Sequence, residues 1–259
     1  MKKFFAVLAV FIVVLLIVGC KSKPDVNETA NSLAASGKVT ASVAATNSNA
    51  AEKIDYDKII AETTEAIKAN PGNAAAYANR GNAYAGKGDY DKAIADYNEA
   101  IRLNPDNPVL YYNRGLLYDQ KKDYDKAIAD YTQSIKLRSD NPEAYNNRGA
   151  AYADKKDFDK AIEDHTQAIK LKPDYSNAYN NRGFAYRHKG DLDKAIADYN
   201  EAIKLDPDNA MAYSNRGVAY LFKGDNEKAI ADYEAALRID PSNASAQYNL
   251  ANSWNQKAE

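Results

Sequence analysis

Asn-Arg-Gly occurs at residues 79–81, 113–115, 147–149, 181–183 and 215–217, always 34 residues apart. Each of the three residue types brings its own chemistry. A carboxamide offers two donors and an oxygen with two lone pairs, so it can hold a peptide backbone whatever side chains that peptide carries. A guanidinium presents a planar fork that matches a carboxylate or a phosphate. The arginines at 80, 114, 148, 182 and 216 are each followed 16 residues later by an aspartate, at 96, 130, 164, 198 and 232. This pairing predicts an ion pair between two elements of one repeat, in preference to a basic stripe that binds phosphates. Such pairs, if partly exposed, contribute about 0–1 kcal/mol each. Glycine lets two backbones approach closely.

Other chemistry has little to stand on. The chain of 259 residues has two histidines and one cysteine, no metal-ligand spacing and no phosphate-cradling glycine loop, so neither catalysis, a cofactor nor a metal is expected. His165 stands where the other repeats place Tyr97, Tyr131, Tyr199 and Tyr233. It is expected to pack in the core with one ring nitrogen satisfied. The formal charge is −2. Without Lys2 and Lys3 it becomes −4, from 32 basic and 36 acidic side chains, a balance that does not favour nucleic acid as a partner.

A strict 34-residue period argues for stacked units rather than one compact core, because each unit must bury its apolar face on a neighbour. The full units run 74–107, 108–141, 142–175, 176–209 and 210–243. Each reads as two helices. Asn73, Asn107, Asn141 and Asn209 precede the first helix as caps, and Pro108 and Pro142 fall in its first turn. The fourth unit has Tyr175-Ser176 there, which makes Ser176 the alternative cap. Asp89, Asp123, Asp157, Asp191 and Asp225 are placed to cap the second helix. Pro105, Pro173, Pro207 and Pro241 stop it, and Ser139 in the remaining unit predicts a looser connection. Residues 55–73 match only the second half of a unit. Either residues 41–54 form a weak substitute for its partner helix, or Ile59, Ile60 and Ile67 leave an apolar strip open. Residues 244–258 match only a first helix, with Leu250, Ala251 and Trp254 in the packing slots, and Gln247, Asn255, Gln256 and Lys257 as the polar outer surface of a cap.

Tyr77, Gly81, Tyr84, Tyr90, Ala93, Tyr97, Ala100 and Pro105 resemble the tetratricopeptide (TPR) signature at its usual offsets, as do Tyr111, Gly115, Tyr118, Ala127 and Tyr131 in the next unit. The resemblance covers roughly residues 55–258. It implies an all-α solenoid of helical hairpins, a right-handed superhelix of about twelve helices, whose first helices line a concave groove. On that resemblance Asn79, Asn113, Asn147, Asn181 and Asn215 form a ladder along the groove, beside Tyr112, Leu116, Phe184, Arg187, His188, Val218 and Phe222. The varied positions make the groove plain at its start, charged in its middle and apolar toward its end. Such a groove suits an extended peptide or a partner's helix with an apolar anchor. Some TPR domains clamp the C-terminal carboxylate of cytosolic chaperones with lysines beside the Asn. Those lysines are absent here.

Lys2, Lys3 and the unbroken apolar run from Phe4 to Val18 form a signal segment over residues 1–19. Ile17-Val18-Gly19-Cys20 resembles the bacterial lipobox, which makes Cys20 a lipidation site and residues 20–53 a flexible tether rich in Ser, Asn, Thr and Ala. The expectation is therefore a lipid-anchored adaptor or scaffold that binds a partner protein in the bacterial cell envelope. Lys21 after the cysteine favours the outer membrane, facing the periplasm, where proteobacterial-type sorting applies. The alternatives are a structural protein that self-associates through the N-terminal half repeat, and a small-ligand-binding accessory of an envelope transporter.

Overall fold

The computed structural model describes residues 54–258, and their side chains as far as Trp254. The signal segment, Cys20 and the tether lie outside the described residues. Those described form twelve helices: α1 Tyr56–Ala69, α2 Ala74–Gly86, α3 Tyr90–Leu103, α4 Pro108–Gln120, α5 Tyr124–Leu137, α6 Pro142–Asp154, α7 Phe158–Leu171, α8 Ser176–His188, α9 Leu192–Leu205, α10 Ala210–Phe222, α11 Asn226–Ile239 and α12 Ala244–Ala258. They fall into two compact units that divide between Ser139 and Asp140. The first holds α1–α5 and the second α6–α12.

The helix starts follow from capping. Asn73, Asn107, Asn141 and Asn209 accept hydrogen bonds from backbone N–H groups of the following turn at 3.0–3.3 Å. Asp89, Asp123, Asp157 and Asp225 do the same for the second helices at 3.2–3.4 Å. Two expected caps fail. Ser176 is the first residue of α8, so its hydroxyl points away from that helix's free N–H groups; it donates to the Ala202 carbonyl at 2.9 Å and ties α8 to α9. Asp191 makes no cap bond and keeps only its contact with Lys194 Nζ at 3.0 Å. Helix α5 ends two residues before Ser139, in the register at which α3, α7, α9 and α11 end before proline. The helix stops in register even without the ring, with Arg138 extended and its N–H bonded to the Ser134 carbonyl.

Within each hairpin the glycine of the triplet meets the next helix. A Cβ on Gly183 would stand 2.8 Å from the Tyr199 ring and 3.1 Å from the Ala195 carbonyl, and Gly115, Gly149 and Gly217 are equally crowded. Ala93, Ala100, Ala195, Ala202, Ala229 and Ala236 are fully buried, and Tyr97, Tyr131, Tyr199, Tyr233 and His165 fill the space around them. These four are the fully buried tyrosines, and Tyr112 and Tyr175 are buried nearly as deeply. Those at the Tyr77 and Tyr84 offsets are half-buried, with one face beneath a cation: Arg80 lies 5.7 Å from the Tyr77 centroid and Lys92 5.3 Å from that of Tyr84.

The last helix departs from expectation. Ala246 and Ser253 are its buried residues, Leu250 packs partly on the α11 core, and Ala251 and Trp254 are exposed, Trp254 at 55%. The offsets of Ala251 and Trp254 are those that pack on a second helix in the full repeats, and no described helix occupies that place. At the other end Ile67 is buried, while Ile59 and Ile60 are half-buried.

Candidate functional site

The arginines of the triplet are consumed by structure. Each makes a two-toothed contact with the aspartate 16 residues on: Nε to one carboxylate oxygen and a terminal nitrogen to the other, all at 2.7–2.8 Å. The remaining nitrogen of Arg80, Arg114, Arg182 and Arg216 reaches back to Thr64, Asn98, Thr166 and Asn200 on the second helix of the preceding repeat, at 2.6–3.2 Å. One side chain thus fastens its own hairpin and the one before it, and no fork is left to bind a phosphate. The aspartate side chains are only 7–10% exposed and the arginines 17–19%. The expected 0–1 kcal/mol per pair is therefore too small as the effect of losing one partner, because removing one leaves a buried charge uncompensated, at a cost of about 3–5 kcal/mol.

A second cross-repeat contact carries no obvious sequence signal beyond its spacing. Lys87, Lys121, Lys189 and Lys223, just after first helices, pair with Asp57, Asp91, Asp159 and Asp193 of the preceding repeat. These acids are 75–88% exposed, so solvent screens the attraction and its weight in stability is small.

The asparagines are placed less uniformly than a ladder implies. Asn79 is half-buried, and its Oδ1 is buried without a hydrogen-bond partner. It lines a cavity of about 90 Å³ between α2 and α4, walled by Ala75, Ala78, Asn82, Val109 and Asn113. Asn147 is only 2% exposed, so its amide is not offered to a ligand. Asn181 donates to Asn146 Oδ1 at 3.2 Å, and Asn215 donates to Asn180 Oδ1 at 3.0 Å. Asn180 in turn donates to Asn181 Oδ1 at 3.4 Å. In the second unit these amides therefore spend part of their capacity on each other, because Asn146 and Asn180 stand one residue before the triplet where the other repeats have Ala78, Tyr112 and Ser214.

Tyr112 also departs from its expected place. It is 6% exposed and packs on Tyr131 with centroids 5.9 Å apart, so it belongs to the core wall rather than the surface. Leu116 and Val218 are half-buried, and Val218 packs on the α11 core. Phe222 is 68% exposed. The remaining three candidates form one cluster. His188 stacks on Phe158 at 4.9 Å with planes 8° apart and meets Phe184 at 4.4 Å. The Arg187 guanidinium lies 5.1 Å from the Phe184 centroid and donates to His188 Nε2 at 3.3 Å. Burial, then the charges of Arg187 and Lys156, lower the His188 pKa, so the ring is the neutral acceptor that this contact requires. Phe158 occupies an offset held by Tyr90, Tyr124, Leu192 and Asn226 elsewhere, and only its aromatic identity hints at a stacking partner.

His165 is as expected. It is fully buried, its Nδ1–H donates to Asn146 Oδ1 at 3.0 Å, and Nε2 has no partner. Burial, then the charge of Arg182, lowers its pKa to about 3.

Among the described residues no group of His, Cys, Asp and Glu could hold a metal ion. No described helix is long and apolar enough to cross a membrane.

Models of the TPR repeat match residues 81–122, 118–156 and 185–224, and models of the tetratricopeptide repeat match 142–175, 210–243, 63–95 and 166–197. The chain belongs to the tetratricopeptide repeat family. Among solved structures it is similar to YrrB, described as a TPR protein with an unusual peptide-binding site (25% identity, 72% of this chain, 96% of that one, TM-score 0.60). It is also similar to MamA (30% identity, 63% and 96%, TM-score 0.58). A TPR protein from Parabacteroides merdae shares the fold at 23% identity (77% and 78%, TM-score 0.57). No curated protein sequence matches the chain. The TPR fold is one used for protein interaction, and its repeats here place their first helices side by side within each unit.

Proposed function

We propose that this TPR chain is a membrane-anchored adaptor that holds a segment of a partner protein against its first helices. The observation that carries the reading is the cavity between α2 and α4, lined by Asn79, Asn82 and Asn113. Carboxamides lining such a cavity can donate to and accept from a peptide backbone. The small walls, Ala75 and Ala78, leave room for a modest aliphatic side chain next to that backbone. The similarity to a protein whose binding site takes peptides supports the same reading.

The anchor is Cys20, with the signal segment before it and the tether of residues 20–53 after it, in a bacterial envelope. Lipid on this cysteine sets location, and the tether sets reach. Two variants test the two halves. Cys20→Ser should move the chain from the membrane pellet to the soluble fraction; a chain that still pellets would reject the anchor. Asn79→Ala with Asn113→Ala should release the co-purifying partner from a chain that circular dichroism shows to be folded. Unchanged capture would reject the site. Asn147 is unsuited to this test because its loss would be read in stability.

A further inference from the structure

The two end helices are opposite halves of one repeat. By register α1 is a second helix and α12 a first helix, and among the described residues neither has its hairpin partner. Their faces are open at the offsets that a hairpin closes. Where Ala93, Tyr97 and Ala100 are 0–1% exposed, α1 carries half-buried Ile59, Thr63 and Ala66. Where Gly81 is buried and Tyr84 half-buried, α12 carries exposed Ala251 and Trp254.

The open faces match each other in chemistry. In all five complete repeats a lysine in the first turn of the second helix stands 5.1–5.3 Å from the ring centroid of a tyrosine on the first helix, as Lys92 does from Tyr84. The ends hold the two halves of another such pair: Lys58 at the lysine offset of α1, and Trp254 at the tyrosine offset of α12. Both are exposed, and indole is the aromatic ring that attracts a cation best. Size is matched as well. The complete repeats set glycine against a large ring, as Gly115 against Tyr131, with no room for a Cβ. The ends set Ala251, one methyl larger, against Thr63, a much smaller side chain. Leu250 and Glu62 occupy the offsets of Arg80 and Asp96, so this join lacks the buried ion pair of a hairpin within the chain.

We propose that α12 of one copy receives α1 of a second copy, so that two half repeats form one composite repeat between chains. The contact is heterologous, because the two faces differ. It goes beyond the peptide-binding reading and does not depend on it, since the Asn79 cavity takes no part.

The test is disulfide trapping between two preparations of the full chain in detergent, both carrying Cys20→Ser so that only introduced thiols react. One bears Ala251→Cys; the other bears Glu62→Cys and is labelled with 15N, so that mass spectrometry separates mixed from like pairs. Both positions are exposed. At the same offsets within hairpins, a Cβ on Gly115 or Gly149 would stand 3.4 or 3.1 Å from that of Asp130 or Asp164. A disulfide spans about 3.5–4.5 Å between Cβ atoms, so the link fits the composite repeat with little movement. Mild oxidation should give mainly the mixed pair. Moving the second cysteine to Ala61, whose counterpart Ala95 is exposed in a complete repeat, should cut the yield tenfold or more. Sedimentation of the Cys20→Ser chain should show association that rises with concentration, weakened tenfold or more by Trp254→Ala and several-fold by Lys58→Gln. Circular dichroism confirms that each variant is folded. A monomer at every concentration, the outcome if residues 41–53 of the same chain cover α1, overturns the composite repeat. So do like pairs of Ala251→Cys in place of the mixed product, equal trapping at Ala61→Cys, or association unchanged by Trp254→Ala.

Discussion

His165 makes the second unit sensitive to acid in a way its tyrosine counterparts do not. In the unfolded chain the imidazole titrates near its ordinary value of about 6.5. In the fold it is fully buried and its pKa falls to about 3, through burial first and the Arg182 charge second. A folded pKa below the unfolded one means that the unfolded chain binds the proton more readily. The stability this histidine permits is therefore fully present above pH about 6.5, and it is lost as pH falls from there toward about 3. At 1.36 kcal/mol per unit, lowering the pH from 7 to 5 should cost the second unit about 2 kcal/mol from this group alone. His165→Tyr isolates that cost from the background of carboxylates. Tyrosine fits, because Tyr199 stands beside Asn180 in the next repeat as His165 stands beside Asn146. Urea unfolding of both chains at pH 7 and pH 5 should show the native protein losing about 2 kcal/mol more than the variant. Equal losses, or a His165 resonance that titrates near pH 6.5 in the folded chain, would refute the buried neutral ring.

Three further outcomes are expected. Asp198→Ala strands the Arg182 guanidinium and should destabilise by about 3–5 kcal/mol, whereas Arg182→Met with Asp198→Leu should recover most of that; a single variant costing under about 1 kcal/mol would show the pair to be idle. Lys122 and Lys156 hold φ of 59° and 63° where other repeats have Gly88, Gly190 and Gly224, so Lys122→Gly and Lys156→Gly should each gain about 1 kcal/mol in denaturant unfolding; a loss would contradict the strain. Tyr233→Phe removes a hydroxyl without a partner and should leave the melting temperature unchanged or raise it, and a clear drop would reveal a bond that the geometry denies.

The sequence was legible wherever the same neighbours recur at the same offset. The 34-residue period, the Asn caps, the glycine contacts and the Arg–Asp pairs all involve residues repeated in register, so one repeat predicts the rest. Legibility ended where a single residue changed its surroundings. Ser176 lies one residue past the cap position, so its hydroxyl meets Ala202 instead of its own helix. Trp254 occupies a packing offset, but an offset is buried only when the helix opposite is there. The triplet's asparagines share an offset and not an environment: Asn181 and Asn215 find an amide acceptor 35 residues earlier, while Asn79 Oδ1 is buried without a partner. Arg187 showed as a charge that varies between repeats, yet only the packed helices place it over Phe184 and beside His188.

Site-specific photocrosslinking in the living cell tests the central claim most directly. The crosslinker would be placed at exposed Ala75 beside the Asn79 cavity, at Phe222 on α10, and at exposed Lys136 and Lys170 on second helices. The account predicts adducts of one partner polypeptide at Ala75 or Phe222, mapped to a short segment, and none at the two lysines. Adducts formed as readily from Lys136 and Lys170, or none from Ala75 and Phe222, would contradict it.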